Sequence, residues 1–209
     1  MPLVEIELSL DGPEVPDEVY AFLREADTRV DEFVRNHPPL ASGFAPSDFV
    51  TVYRALRAVA KANLAPGNKF CEWGCGFGVA TSLAAMLEFD SVGIEIDSAL
   101  IEASRRLADD FALATEFVQG SFIPPGGDVY ADELYAVEGG EFFWLVTDAD
   151  HAYEELGLDA DDFDLIFAYP WPSEENIIES LFERYAAEGA LLLTYRQFDS
   201  VRLSRKIRE

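Results

Sequence analysis

The chain has 209 residues and is poor in cysteine and histidine, with two of each. Cys71 and Cys75 are interpreted as small packing residues, because a disulfide is not expected in a reducing compartment. With His37 and His151 as the only histidines, the chain offers too few Cys and His ligands for a zinc site. The sequence therefore predicts no metal.

Long apolar runs are also lacking. No run approaches the roughly 20 apolar residues that a membrane-spanning helix needs. Residues 1–5 lack the basic and apolar regions of a signal peptide. The length fits a single domain over residues 1–209 that can bury a real core. We therefore expect a cytoplasmic protein with no membrane contact.

Positive charge is scarce. Lys and Arg number 15 against 40 Asp and Glu, which gives a formal net charge of −25. No basic residue lies between Arg106 and Arg184. Such an acidic surface repels a phosphate backbone, so nucleic acid is not expected as a partner. The C-terminal basic cluster is expected to be a solvated tail; it comprises Arg202, Arg205, Lys206 and Arg208.

The most informative segment is glycine-rich and spans residues 69–78. It predicts a strand, a tight turn and the start of a helix, while residues 92–95 predict a second strand that ends on the carboxylate of Glu95. Glycines would let a ligand approach bare backbone at the helix N-terminus, and Glu95 could accept hydrogen bonds from both ribose hydroxyls. The pattern indicates a nucleotide-type cofactor site.

Glycine spacing indicates which cofactor is bound. The dinucleotide motif G-x-G-x-x-G would require Gly or Ala at Val79, whereas the chain has Glu72-x-Gly74-x-Gly76-x-Gly78. This pattern resembles motif I of the class I S-adenosylmethionine-dependent methyltransferases, whose turn holds the methionine part of the cofactor. The resemblance implies cofactor contacts at Glu72, Gly74, Cys75, Gly76, Gly78, Glu95 and Ile96.

The resemblance covers roughly residues 45–195 and includes an adenine segment. Gly120-Ser121-Phe122 stands where the family usually has Gly-Asp, with Ser121 in place of the acid. The resemblance implies that Gly120 and Ser121 meet the adenine and that Phe122 stacks on it. A shorter match, Phe44-x-Pro46-Ser47-Asp48, resembles a segment of a subgroup that contains protein-lysine methyltransferases.

An apolar strand ends at Tyr169-Pro170-Trp171-Pro172, where the family places its catalytic loop. This loop lacks the amide or carboxylate of the amine methyltransferase motif, which counts against methylation of exocyclic base amines. Aromatic faces suit the passing positive charge of a sulfonium or a methylated amine. We therefore predict that Tyr169 and Trp171 line the methyl-transfer site.

The pattern along the chain alternates between strand and helix. Core strands are predicted at 69–73, 91–96, 116–119, 163–168 and 189–195, and helices at 17–36, 48–63, 79–88, 98–112 and 174–187. This alternation predicts an α/β fold with a Rossmann-like, doubly wound and mainly parallel sheet in three layers, α/β/α.

The segments outside this core are predicted separately. Residues 1–66 supply an edge strand within residues 3–10 and the first helices, whereas residues 67–209 form the core. Only residues 196–209 follow the last core strand, with residues 201–204 as a candidate further strand, so the sheet is expected to be reduced at the C-terminus. An insertion at about 123–161 has two apolar-aromatic runs around Gly139-Gly140, which predict a β-hairpin before a short helix at 149–157.

The predicted function is methyl transfer from S-adenosylmethionine to a small-molecule or protein acceptor. In-line displacement mainly requires that donor and acceptor be aligned, so a general base is not obligatory, although Asp150 and His151 could supply one. Two alternatives remain open. One is a methyltransferase-like protein that binds the cofactor without turnover, and the other is an NAD-dependent oxidoreductase, since Glu95 suits either ribose.

Overall fold

The computed structural model describes residues 2–37, 48–131, 152–171, 174–196 and 200–208. The strands are β1 (Leu3–Ile6), β2 (Lys69–Trp73), β3 (Asp90–Glu95), β4 (Thr115–Gln119), β5 (Leu165–Ala168), β6 (Leu191–Arg196) and β7 (Ser200–Lys206). The helices are α1 (Asp17–Asn36), α2 (Phe49–Lys61), α3 (Val79–Met86), α4 (Ser98–Asp110), α5 (Ala152–Leu156) and α6 (Glu175–Tyr185), with a 3₁₀ turn at Ala160–Asp162.

The strands form one sheet in the order β1-β7-β6-β5-β2-β3-β4. All pairs from β6 to β4 are parallel. The chain moves outward from β2 to β4, then returns to place β5 beside β2 on its other side. The boundary between β2 and β5 is therefore a topological switch point, and ligands of such sheets bind beyond the carboxyl ends of the strands there. The predicted fold class is confirmed.

Two antiparallel strands extend the sheet beyond β6. β7 pairs with β6 from Leu191↔Arg205 to Arg196↔Ser200, and β1 pairs with β7 along its whole length. The N-terminal strand thus lies at one sheet edge, as predicted. It brings the described part of the sheet to seven strands even though the chain after β6 is short.

The prediction of a solvated basic tail is wrong for Arg202, Arg205 and Lys206, which belong to β7. Arg202 forms ion pairs with Glu5 at 3.0 Å and with Glu179 at 2.6 Å. Lys206 is buried and its ammonium donates to the Ala186 carbonyl. Arg205 donates to the Leu64 carbonyl at 2.7 Å. All three side chains therefore have acidic or carbonyl partners on neighbouring elements.

Two apolar cores lie on opposite faces of the sheet. Strand β5 illustrates the division, because Leu165 and Phe167 face α1–α4 while Ile166 and Ala168 face α5 and α6. This alternation follows from the two-residue period of a strand. Helix α3 is buried on nearly every side, because α1 and α2 cover the surface that the sheet does not.

Most predicted elements are confirmed to within about two residues at each end. Helix α5 overlaps the short helix predicted at 149–157. The predicted β-hairpin, together with Phe44, Pro46 and Ser47, lies outside the described residues. Among the described helices, none combines the length and apolarity that crossing a membrane would require.

Candidate cofactor and acceptor site

The carboxyl ends of the central strands meet at one level. Trp73 is in register with Ile94 of β3 and with Ala168 of β5. Backbone amides then join the loops that follow, since Gly74 and Cys75 donate to the Ile94 carbonyl at 3.0 and 2.8 Å. Gly120 donates to the Glu95 carbonyl at 2.9 Å. The sheet therefore brings the predicted cofactor residues and the loop after β5 together at the carboxyl ends of the central strands.

The glycines of the β2–α3 turn serve two purposes. Gly74, Gly76 and Gly78 have φ values of +74°, +52° and +64°, which side-chain-bearing residues rarely adopt. A Cβ at Gly74 would have Phe122 as its nearest neighbour at 4.0 Å, so this position leaves open space. A Cβ at Gly78 would overlap the Phe117 ring, whose Cζ would be 2.6 Å away, and would lie 2.9 Å from the Ser104 Cβ, so Gly78 is required for packing.

Glu72 is held at the start of α3. Its side chain is 6% exposed, and its Oε2 accepts hydrogen bonds from the Thr81 amide at 2.8 Å and the Thr81 hydroxyl at 2.5 Å. The N-cap residue of α3 is Gly78, which has no side chain to accept from the first-turn amides. Glu72 performs this capping from the neighbouring strand and fixes the angle at which α3 leaves the turn.

Burial raises the pKa of Glu72 to about 8, against the smaller lowering effect of the two Thr81 hydrogen bonds and with a further contribution from Glu95. Since the ordinary value is 4.5, the folded protein binds this proton more tightly than the unfolded chain. The stabilising effect is complete below about pH 4.5 and is lost as the pH rises through about 8.

Glu72→Gln is therefore expected to flatten the pH dependence of the unfolding free energy between about pH 5 and 8. One proton accounts for a slope of up to about 1.4 kcal/mol per pH unit. Urea unfolding at half-unit pH steps measures it, with the exposed Glu116→Gln as the control for a lost charge. Equal slopes in both variants and the parent would show that Glu72 does not carry this linkage.

Glu95 lies between the two loops that border the predicted cofactor site. Its Oε2 accepts from the Gly76 amide at 2.9 Å, while its Oε1 accepts from the amides of Ile96 at 2.8 Å and Asp97 at 3.0 Å. Burial raises the pKa of Glu95, and these three amides oppose the rise. A carboxylate can accept about four hydrogen bonds, so this arrangement leaves one position on Oε2.

The remaining predicted cofactor residues differ in what they expose. The Ile96 side chain is 38% exposed beside Glu95. Cys75 is buried against Phe117 in a small core cluster, so only its backbone faces the turn. Ser121 is buried, and its hydroxyl accepts from the Ile123 amide at 3.1 Å.

Phe122 borders the open side of the glycine turn. Its ring is stacked on Trp73 with centroids 5.4 Å apart and planes 11° from parallel. The Phe122 carbonyl accepts from the Tyr153 hydroxyl of α5 at 2.9 Å. The ring is therefore held in place by β2 and α5 while its edge faces Gly74.

The loop after β5 presents Tyr169 beside a second tyrosine. Tyr169 is half-buried, and its ring contacts Tyr195 edge-to-face with centroids 4.9 Å apart. Tyr195 accepts from the Asp48 amide at 2.9 Å, while Asp48 caps α2 through Val50. Trp171 is half-buried and its amide donates to the buried Glu174 carboxylate at 3.2 Å.

Sequence reasoning missed Thr81 and Tyr195. A helix that begins after glycine needs an acceptor from elsewhere, so the buried Glu72 and the hydroxyl-bearing Thr81 form a detectable pair. Tyr195 lies beside Tyr169 because Ala168 is in register with Thr194, which becomes visible only once β5 and β6 are paired. The candidate bases Asp150 and His151 lie outside the described residues.

One acidic cluster among the described residues has the spacing of metal ligands. Asp159, Asp161 and Asp162 are all exposed, with their carboxylates within 4.8 Å of one another. The Asp162 carboxylate accepts from the Asp159 amide at 2.9 Å, which makes the cluster part of the cap of a 3₁₀ turn. This turn precedes β5, at the opposite end of the strand from Tyr169.

No family model and no curated protein matches the chain by sequence. Solved structures do match its fold. A methyltransferase from Geobacter sulfurreducens aligns with a TM-score of 0.55 and 16% identity over 94% of this chain and 93% of that chain. An RNA methyltransferase from Salinibacter ruber, crystallised with S-adenosyl-L-homocysteine, aligns with a TM-score of 0.53 and 16% identity over 79% of this chain and 95% of that chain.

At this identity the likeness is one of fold. It agrees with the mainly parallel sheet and its added antiparallel strand pair. The chain therefore has the class I S-adenosylmethionine-dependent methyltransferase fold that motif I predicted.

Proposed function

We propose that the chain is an S-adenosylmethionine-dependent methyltransferase. The observation that carries the proposal is the junction of Glu95 with the glycine turn, where one carboxylate oxygen accepts from the Gly76 amide. A carboxylate at this junction could accept from ribose hydroxyls beside the bare backbone at the start of α3, at the carboxyl ends of the strands where ligands of such sheets bind. The two solved structures described above support the same cofactor class through their fold.

The methionine end of the cofactor would lie over Gly74, where the space in front of the backbone is open up to the Phe122 ring. The ribose would face Glu95. Since Oε1 already accepts from two amides, both ribose hydroxyls could bind only if the carboxylate released at least one amide. We expect a ribose hydroxyl to replace the Gly76 amide, because this amide is the only described donor to Oε2.

The adenine would lie between the loops after β3 and β4. Ile96 offers an exposed apolar side chain there. Gly120 and Ser121 would contribute backbone groups rather than the Ser121 hydroxyl, since that hydroxyl is buried and already accepts from the Ile123 amide. Phe122 has one face on Trp73, so its edge and other face remain to contact the cofactor.

Methyl transfer would take place beside Tyr169. When bound, S-adenosylmethionine supplies an electrophilic methyl group on a sulfonium, and the protein has to align the acceptor and exclude water. The Tyr169 hydroxyl has no hydrogen-bond partner among the described residues, which leaves it available to an acceptor. The aromatic faces of Tyr169 and Trp171 suit passing positive charge.

A small molecule or a protein side chain is the acceptor class that the charge favours. The loops after β4 and β5 belong to the stretch between Arg106 and Arg184 that holds no Lys or Arg. A polyanionic acceptor would therefore meet repulsion where it has to enter.

Calorimetric titration with S-adenosylmethionine, S-adenosylhomocysteine and NAD tests the cofactor. Micromolar binding of the first two, with no heat from NAD, is the expected result. NAD binding alone would favour the oxidoreductase alternative. No binding of any of the three would mean that the glycine turn is only structural.

Tyr169→Phe is expected to lower kcat/KM by roughly 3- to 10-fold, the worth of one neutral hydrogen bond, while the affinity for S-adenosylhomocysteine stays unchanged. Turnover is measured with the first acceptor that a substrate panel identifies. Tyr185→Phe, half-buried at the end of α6, is the matched control. Full activity of Tyr169→Phe would rule out its hydroxyl and leave only the aromatic face.

A second candidate is a methyltransferase-like protein that binds the cofactor without turnover. The loop after β5 favours this candidate, because it has no side-chain amide or carboxylate to orient an amine; its sequence is Tyr169-Pro170-Trp171-Pro172. Cofactor binding without turnover across amine, hydroxyl, thiol and protein acceptors would support it.

A further inference from the structure

A cavity of about 390 Å³ lies away from the glycine turn, between α2 and the segment that follows β1. Ile6, Leu8 and Leu64 supply apolar side chains to its lining. Its volume falls within the range of about 300 to 1,000 Å³ that is typical of small-molecule sites. All of its lining residues belong to the described ranges.

The helical wall of this cavity is cationic. Arg54, Arg57 and Lys61 lie at helical spacing on one face of α2 and all three line the cavity. Among the described residues, none of the three forms an ion pair or a hydrogen bond. This is unexpected in a chain with 40 acidic and 15 basic residues, where other cations such as Arg29, Arg196 and Arg202 form ion pairs.

Arg57 is held at the cavity by its surroundings. Its guanidinium lies over the Tyr53 ring, 5.4 Å from the centroid. It also lies so close to Gly12 that a Cβ there would be 2.8 Å from Nη2. The absence of a side chain at Gly12 therefore lets the guanidinium lie against the opposite wall. Two acidic residues of that wall, Glu7 and Asp11, are exposed to solvent and make no ion pair within the described ranges.

We propose that this cavity binds a small amphipathic anion, with its oxyanion head on Arg54, Arg57 and Lys61 and its apolar body on Ile6, Leu8 and Leu64. A guanidinium pairs with a carboxylate or a phosphate through two parallel hydrogen bonds. An apolar body that leaves water adds affinity in proportion to its buried area. The site does not depend on the cofactor assignment, since it shares no residue with the glycine turn or with Glu95.

Calorimetry with four probes tests the site: hexyl phosphate, hexanoate, hexanol and inorganic phosphate. Hexyl phosphate or hexanoate is expected to bind with one-to-one stoichiometry, and the tighter of the two identifies the head group. Hexanol is expected not to bind, and inorganic phosphate is expected to bind at least tenfold more weakly than hexyl phosphate. Inorganic phosphate binding as tightly as hexyl phosphate would overturn the apolar half of the proposal.

Arg54→Gln/Arg57→Gln is expected to weaken binding of the better probe at least tenfold, whereas Arg24→Gln, on the exposed face of α1, is expected to have no effect. Both variants should keep the S-adenosylhomocysteine affinity of the parent. Arg24→Gln should also keep the melting temperature, whereas Arg54→Gln/Arg57→Gln should lower it only slightly, because the half-buried Arg57 loses its contact with the Tyr53 ring. Absence of binding by hexyl phosphate and hexanoate, or equal affinities in the two variants, would overturn the site.

Discussion

Gly78→Ala is expected to lower the free energy of unfolding by about 2 to 5 kcal/mol. Part of the loss is backbone strain, because Gly78 has a φ of +64° and the left-handed region costs a side-chain-bearing residue about 1–2 kcal/mol. The rest is overpacking, because the new Cβ would overlap the buried Phe117 ring, with Cζ 2.6 Å away, and would lie 2.9 Å from the Ser104 Cβ. Forcing a methyl group into a filled core costs about 1–3 kcal/mol.

A matched control separates these two contributions. Gly157 has a φ of +63°, nearly that of Gly78, but a Cβ there would have no neighbour within 4 Å. Gly157→Ala is therefore expected to cost only the backbone strain, about 1–2 kcal/mol. Urea unfolding of both variants measures the difference. Equal losses would show that close packing against β4 is not what requires glycine at position 78.

The core strands were predictable from sequence because they are buried on both faces. A strand between two helical layers is apolar at most positions, as in Leu165–Ala168 of β5. The helices between such strands show the 3.6-residue spacing of apolar side chains. β7 was predicted only in part, as a candidate strand over residues 201–204 beside a solvated basic tail, because Arg and Lys interrupt its apolar residues. Its partners are Glu5 on β1 and Glu179 on α6, both remote in sequence, and no local pattern reveals them.

The same distinction applies to the candidate site. The turn glycines and Glu95 were predicted as candidate site residues because the motif is local. Glycine allows the positive φ of the turn, and Glu95 ends the next strand. The role of Glu72 as the cap of α3 is visible only through its hydrogen bonds with Thr81, nine residues away. The pairing of Tyr169 with Tyr195 required the register of β5 with β6. Contacts set by strand pairing therefore became visible only with the fold.

Glu95→Ala is expected to weaken binding of S-adenosylhomocysteine by roughly 5- to 150-fold. This range corresponds to about 1–3 kcal/mol, the cost of leaving buried hydrogen-bonding groups without a partner. The weaker binding comes from the ribose hydroxyls, which lose their acceptor in the complex. The amides of Gly76, Ile96 and Asp97 lose theirs in the free protein as well, so they affect stability. Glu95→Gln keeps one acceptor oxygen and should lose less affinity than the alanine variant.

The amide bonds make a stability control necessary, because Glu95→Ala could loosen both loops without any ribose contact. Glu116→Ala removes an exposed carboxylate from the adjacent strand and should change neither the melting temperature nor the affinity. Calorimetry on folded protein, with the melting temperature measured in parallel, separates the two effects. A Glu95→Ala variant that melts like the parent and binds S-adenosylhomocysteine with unchanged affinity would contradict the ribose assignment. Weaker binding at an unchanged melting temperature would place the carboxylate in the cofactor site, because the structural role of its amide bonds could not account for the loss.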